Sequence, residues 1–351
     1  MLNQLPLKDS SKQFNEGKMR LKFLLLIILF SSLSINYTIG QNAQSEKTTE
    51  SDKKWGPGKD LIPKDELTEW VSINGLNEIT KAAENGNKIA QRRLGRIYAF
   101  GSGVKENDTD AVKWYQKATK KGDAIAMLNL GFSYERGKGV PQNSKKAFYW
   151  YRKSAEKGNA TAMNNLGVLH RDGISVTKDY EKAVYWFKNA SERDHASAMN
   201  SLGVSYHRGL GVTKDHEKAV YWFKKASEKG FSPAMHALGL FYDNGHGSIT
   251  KDYKKANYWF RKAADEGFAK AMYIIGDHYE RGLGITKDYE KANYWYRKAA
   301  DEGFAKAMHA LGVSYDKGLG VMKDYEKAVY WFIKASEKGL APAMYALGVF
   351  Y

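Results

Sequence analysis

One dipeptide constrains the fold of this chain more than any other feature. Leu-Gly, once Ile-Gly, recurs with its glycine at Gly95, Gly131, Gly167, Gly203, Gly239, Gly276, Gly312 and Gly348. The interval is 36 residues, broken once by 37 between Gly239 and Gly276. A unit of that size cannot enclose a core of its own, so a strict period of this kind marks a stacked array in which each unit buries its apolar face against its neighbours. The extra residue falls around Gly247 and Ser248, in the loop between two helices, where an insertion disturbs packing least.

Within a unit the apolar pattern predicts two helices. In Ala198-Met-Asn-Ser-Leu-Gly-Val-Ser-Tyr206, Ala198, Leu202 and Tyr206 fall four apart on one face, flanked by Met199 and Gly203. Glycine weakens a helix, so its return at the centre of every such helix implies close approach by the second helix. Gly209-Leu-Gly211 supplies the left-handed conformation that stops the first helix. The second helix opens on Asn107, Asn143, Asp179, Asp215, Asp252, Asp288 and Asp324, side chains suited to capping helix N-termini. Seven residues after each comes a tryptophan, namely Trp114, Trp150, Trp186, Trp222, Trp259, Trp295 and Trp331. One tryptophan per unit among small alanines reads as core, with truncation to alanine costing about 3–5 kcal/mol. In the third unit Ser175 stands for the second loop glycine, His170 for the tyrosine and Asp194 for the closing glycine, so two loops there are expected to change geometry.

These residues carry a family resemblance. The order A-M-x-x-L-G-x-x-Y, G-x-G-V, D-Y-E-K-A-x-x-W-[FY]-x-K-A and a closing glycine resembles the Sel-one-like repeat, a relative of the tetratricopeptide repeat, over about residues 65–351. The resemblance implies an all-α fold, a right-handed α-solenoid (superhelix) of stacked helix-turn-helix repeats. It also implies a scaffold or adaptor role, with the first helices lining a concave groove. If the groove is like that of tetratricopeptide arrays, the row three residues before each glycine faces it: Arg92, Leu128, Asn164, Asn200, His236, Tyr273, His309 and Tyr345. This row passes from amides to rings, a gradient that suits a peptide partner.

The ends of the chain predict its location and limits. Lys18, Arg20 and Lys22 precede the apolar run Phe23–Phe30, and a more polar stretch follows to Gly40, the order of a signal peptide. Residues 1–40 therefore read as an export signal cleaved after Gly40, with Met19 as a candidate true start and no membrane span left after cleavage. Residues 41–60 read as a polar linker, 61–86 as a capping half-repeat, and 87–351 as seven full repeats and a truncated eighth. Because Tyr351 falls inside the first helix of that eighth unit, the expectation is a shortened reading frame or an end covered by another chain. The predicted location is exported, periplasmic or secreted, in a bacterium.

Composition narrows the chemistry. With no cysteine there is neither a disulfide framework nor a thiolate site, so packing alone holds an exported state together. Residues 1–40 and 41–86 carry equal and opposite net charges, leaving the chain's +16 in the repeats. Lysines recur at fixed positions there, as a solvated outer face or as a stripe for anionic wall or surface polymers; nothing points to a specific nucleic acid. The eight histidines include no pair spaced i, i+4, so no metal site and no cofactor are expected. Ser154-Ala-Glu-Lys157 and Ser175-Val-Thr-Lys178 match a Ser-x-x-Lys spacing without its companion motifs, so no catalytic residue is assigned. The reading is an exported protein-binding scaffold, the alternative a wall-ligand-binding or weakly hydrolytic repeat protein.

Overall fold

The computed structural model describes residues 71–72 and 75–350, which lie in two units, one ending at Lys121 and one beginning at Gly122. The expected signal, the linker and the first part of the expected cap lie outside the described residues.

The first unit contains α1 (Leu76–Glu84), α2 (Lys88–Phe100) and α3 (Asp108–Lys120). Ile79 and Ala83 of α1 close over Ile89, Ala90, Leu94 and Ile97 of α2, and Trp114 of α3 packs against this cluster. The second unit runs through α4 (Ala124–Arg136), α5 (Ser144–Glu156), α6 (Ala160–Asp172), α7 (Tyr180–Ser191), α8 (Ala196–Arg208), α9 (His216–Glu228) and α10 (Ser232–Asn244). It continues with α11 (Tyr253–Asp265), α12 (Ala269–Arg281), α13 (Tyr289–Asp301), α14 (Ala305–Lys317), α15 (Tyr325–Glu337) and α16 (Ala341–Phe350). Within each unit every helix packs on its neighbours in the chain, the arrangement of a solenoid of stacked helix-turn-helix repeats.

Local chemistry accounts for the regularity. All seven predicted caps of the second helices accept a hydrogen bond from the backbone N–H three residues on, as Asp215 does from Lys218 at 2.8 Å. Asn87, Asp123, Asn159 and His195 cap four of the first helices in the same way, whereas Phe231, Phe268 and Phe304 occupy the position without a side-chain cap. The first helices end on glycine in the left-handed conformation, Gly209 at φ 70° and ψ 38° for example. Gly245 keeps φ at 69° but turns ψ to 128°, so the chain leaves α10 in a different direction. The 37-residue unit is the one affected: its loop closes into a small turn in which His246 and Ile249 exchange backbone hydrogen bonds at 3.0 and 3.1 Å.

The Leu-Gly glycine has the expected cause, with a different partner. A Cβ at Gly203 would lie 2.6 Å from Cδ1 and Cε1 of Phe223, the residue after the tryptophan. The core rings are Tyr115, Tyr151, Phe187, Phe223, Phe260, Tyr296 and Phe332, all no more than 4% exposed. Of the seven repeat tryptophans only Trp295 is buried; the other six are partly buried. One residue round a helix is about 100°, so the ring facing the glycine leaves its neighbour at the seam between repeats. Trp222 and Trp259 accordingly each pack against two successive core clusters.

The third unit corrects a second expectation. Ser175 and Asp194 hold φ at 65° and 59°, beside 70° at Gly211 and 78° at Gly230, so the loops keep the glycine geometry instead of changing it. The stacking of neighbouring repeats fixes the loop path, and two side chains accept a disfavoured conformation to follow it. Asp194 also pairs with Lys229 at 2.9 Å.

Candidate interaction surface

The row expected to face the groove comes from α2 in the first unit and from α4, α6, α8, α10, α12, α14 and α16 in the second. Arg92 is buried within the first unit. In the second unit Leu128 and Asn164 are also buried, Asn200, His236, Tyr273 and His309 are half-buried, and Tyr345 is 78% exposed. The middle members rest on the core rings of their own repeats. The His236 ring lies 5.8 Å from Phe260 and 5.0 Å from Phe268. Tyr273 lies 5.6 Å from Tyr296 and 5.4 Å from Phe304, and His309 lies 5.4 Å from Phe332. Each ring thus presents part of its surface and is held in place by the rest.

Burial sets the charge of this row. It holds the His236 imidazole down to about 4, with Lys270 adding to the effect, and it lowers His309 as well. Burial raises Tyr273, and Asp277 and Glu280 raise it further. At neutral pH the stretch from Asn200 to His309 is therefore uncharged, offering amides and ring faces. At the amide end, the buried atoms Asn129 Nδ2 and Asn164 Oδ1 have no hydrogen-bond partner among the described residues, an arrangement native proteins seldom leave unfilled.

A second exposed row lies on the other helix of the six repeats of the second unit. Tyr149, Tyr185, Tyr221, Tyr258, Tyr294 and Tyr330, each just before a tryptophan, are between 44% and 57% exposed. Each meets its tryptophan edge-on at 5.1 to 5.4 Å. Five have a lysine one turn on, Nζ 4.9 to 6.0 Å from the ring centre: Lys153, Lys225, Lys262, Lys298 and Lys334. The sequence reading missed these tyrosines; their signal is the Tyr-Trp dipeptide at the repeat period.

The comparisons agree with the geometry. The Sel1 repeat family model matches residues 88–123, 124–159, 160–195, 196–231, 232–268, 269–304 and 305–340. The chain belongs to the Sel1 repeat family. The structure resembles that of c5321, described as a protective antigen present in uropathogenic Escherichia coli strains and displaying an SLR fold: identity is 33%, with 79% of this chain and 67% of that one covered, at a TM-score of 0.59. A Sel1 repeat protein from Oxalobacter formigenes is 32% identical over 70% of this chain and 96% of its own, at a TM-score of 0.62. No curated protein is significantly similar.

Ser154, the first serine of the Ser-x-x-Lys matches, is buried and donates its hydroxyl to the Ala124 carbonyl at 2.6 Å, a packing contact between helices of one repeat. Among the described residues no group of three or more His, Asp or Glu side chains could hold a metal ion, and no helix is long and apolar enough to cross a membrane.

Proposed function

We propose that this Sel1-repeat protein is an exported scaffold that binds a protein partner through an extended segment laid along its first helices. One observation carries the reading: Asn200, His236, Tyr273 and His309 form an uncharged, half-buried row whose rings rest on the core rings, continuing from the buried amide of Asn164. Amides pair with a peptide backbone and rigid rings accept side chains at low entropic cost. Export rests on the basic, apolar and polar order of residues 18–40, and the likeness to a protective antigen of a pathogenic bacterium accords with it.

A second reading has its own support. The tyrosine row with its lysines suits an anionic wall or surface polymer, which would stack on the rings and pair with the ammonium groups. Affinity capture from the bacterial envelope separates the two. Protein captured by the native chain and by Tyr221→Ser/Tyr258→Ser/Tyr294→Ser, and lost with Asn129→Ala/Asn164→Ala, supports the scaffold. Retention by the asparagine variant, with loss from the tyrosine variant and in high salt, supports the polymer reading and refutes the first.

A further inference from the structure

The turn that follows α10 is held to the preceding repeat by histidines. His207 stands in the last turn of α8, His216 opens α9, and His246 lies on the turn itself, in the repeat that carries the extra residue. The ring centres are 5.2 Å apart for His207 and His216, 5.2 Å for His207 and His246, and 5.4 Å for His216 and His246. Phe241 backs all three rings at 4.9 to 5.8 Å. All three histidines are half-buried, so the protein holds them while protons reach them from solvent.

The repeat pattern does not account for this grouping. No other repeat has a histidine at any of the three positions: His207 corresponds to Glu135 and Glu280, His216 to Tyr253 and Tyr289, and His246 to Leu210 and Leu283. The altered ψ of Gly245 and the His246–Ile249 turn bring the third ring to the other two, and the neighbouring Gly247 lies against the His216 side chain. Three substitutions and one inserted residue thus fall at the same joint, between the fourth and fifth repeats.

The contacts suit neutral rings. Nδ1 of His207 and Nδ1 of His216 share a hydrogen bond at 3.3 Å, in which one nitrogen donates and the other accepts. With both rings protonated no acceptor is left. The His216 and His246 rings stack at an interplanar angle of 20°, and His207 meets His246 edge-on at 61°. A second positive charge 5.2 Å from the first is disfavoured about fourfold even at the dielectric constant of water. We propose that His207, His216 and His246 form an acid-sensitive latch: neutral rings hold the turn after α10 on the junction of α8 and α9, and protonation below neutral pH releases it.

The charges around the rings work in the same direction. Arg208 of α8 and Lys214 before α9 face the cluster with positive charge. Asp215 acts in the opposite sense on His216, but it caps α9 through the Lys218 N–H at 2.8 Å and pairs with Lys218 Nζ at 3.1 Å. Glu217 accepts from Ser248 at 2.8 Å, a second tie between α9 and the turn. Asp243 of α10 faces His278 at 3.3 Å, and Lys251, ahead of α11, lies over Tyr253. Burial first, then neighbouring positive charge, holds His207 and His216 below the usual histidine range. Release solvates the rings, so the released form binds more protons. The latch is therefore fully closed above about pH 6.5, the value of a free imidazole, and weakens as pH falls below it.

The test is amide hydrogen exchange of the full chain at neutral and at mildly acidic pH, read by mass spectrometry and corrected for the intrinsic rate at each pH. The reporting amides are those of His246 and Ile249, which bond to each other's carbonyls at 3.1 and 3.0 Å. Acidification is expected to raise their opening about tenfold, with no such change in the loop 318–324 of the seventh repeat, which holds no histidine. His216→Tyr/His246→Leu installs residues that other repeats carry and should remove the acid response; the ratio between the two pH values reads this even where the variant loosens the turn. His207→Glu, the residue of Glu135 and Glu280, should reverse the response, because a carboxylate holds the protonated rings in place. A turn whose exchange ignores pH, an equal response in the loop 318–324, or a response that persists in His216→Tyr/His246→Leu overturns the proposal.

Discussion

Replacing Gly203 by alanine tests the packing that makes this chain a solenoid. Phe223 is 2% exposed, and a methyl at position 203 would sit 2.6 Å from two of its ring atoms and 3.0 Å from a third. Carbon atoms pack best at about 3.5–4.0 Å, so α8 and α9 must part by roughly 1 Å or the ring must leave its rotamer. Overpacking of this kind costs about 1–3 kcal/mol, while alanine returns about 1 kcal/mol of helix propensity. The net expectation is a loss of about 1–2 kcal/mol, read as a lower urea midpoint by far-UV circular dichroism. Gly348→Ala is the control, because no atom lies within 4 Å of the added methyl, and it should be neutral or stabilising by up to about 1 kcal/mol. In a Phe223→Leu background the cost of Gly203→Ala should shrink, since the smaller side chain frees the space. A Gly203→Ala protein as stable as the parent would refute the close-approach argument.

Other perturbations follow from the same physical terms. Ser175→Gly should stabilise the protein by about 1 kcal/mol in urea unfolding, because it removes a side chain from the left-handed region at φ 65°. Asp215→Ala should cost about 1 kcal/mol, through loss of the cap on the Lys218 N–H, with a lower melting temperature as readout. His195, 3% exposed and accepting from the Ala198 N–H, is held by burial at about 4, so between pH 4 and 6.5 the unfolded chain binds the more protons. Its contribution, about 3 kcal/mol, is full above the unfolded value and is lost as pH falls towards 4. His195→Asn, the cap used at Asn87 and Asn159, should flatten that part of the stability-against-pH curve.

The period, the two helices of each unit and all seven caps of the second helices were legible because each depends on residues close in sequence. The core ring was misplaced by one residue: tryptophan draws the eye as the largest apolar side chain, yet the glycine opposite leaves room only for Phe or Tyr in direct contact, and the tryptophan takes the seam. Ser175 and Asp194 were read from intrinsic preference, but the stacked neighbours held their loops in the glycine conformation. The exposed tyrosine row was legible in principle, since Tyr-Trp recurs with the period.

The central claim is that a protein partner lies along the first helices. A photo-crosslinking amino acid placed at Asn200, on α8, and separately at Tyr221, on α9, tests it in cells that export the protein. The account predicts a discrete protein adduct from position 200 and none from position 221. An adduct from position 221 alone, or from neither position, would contradict it.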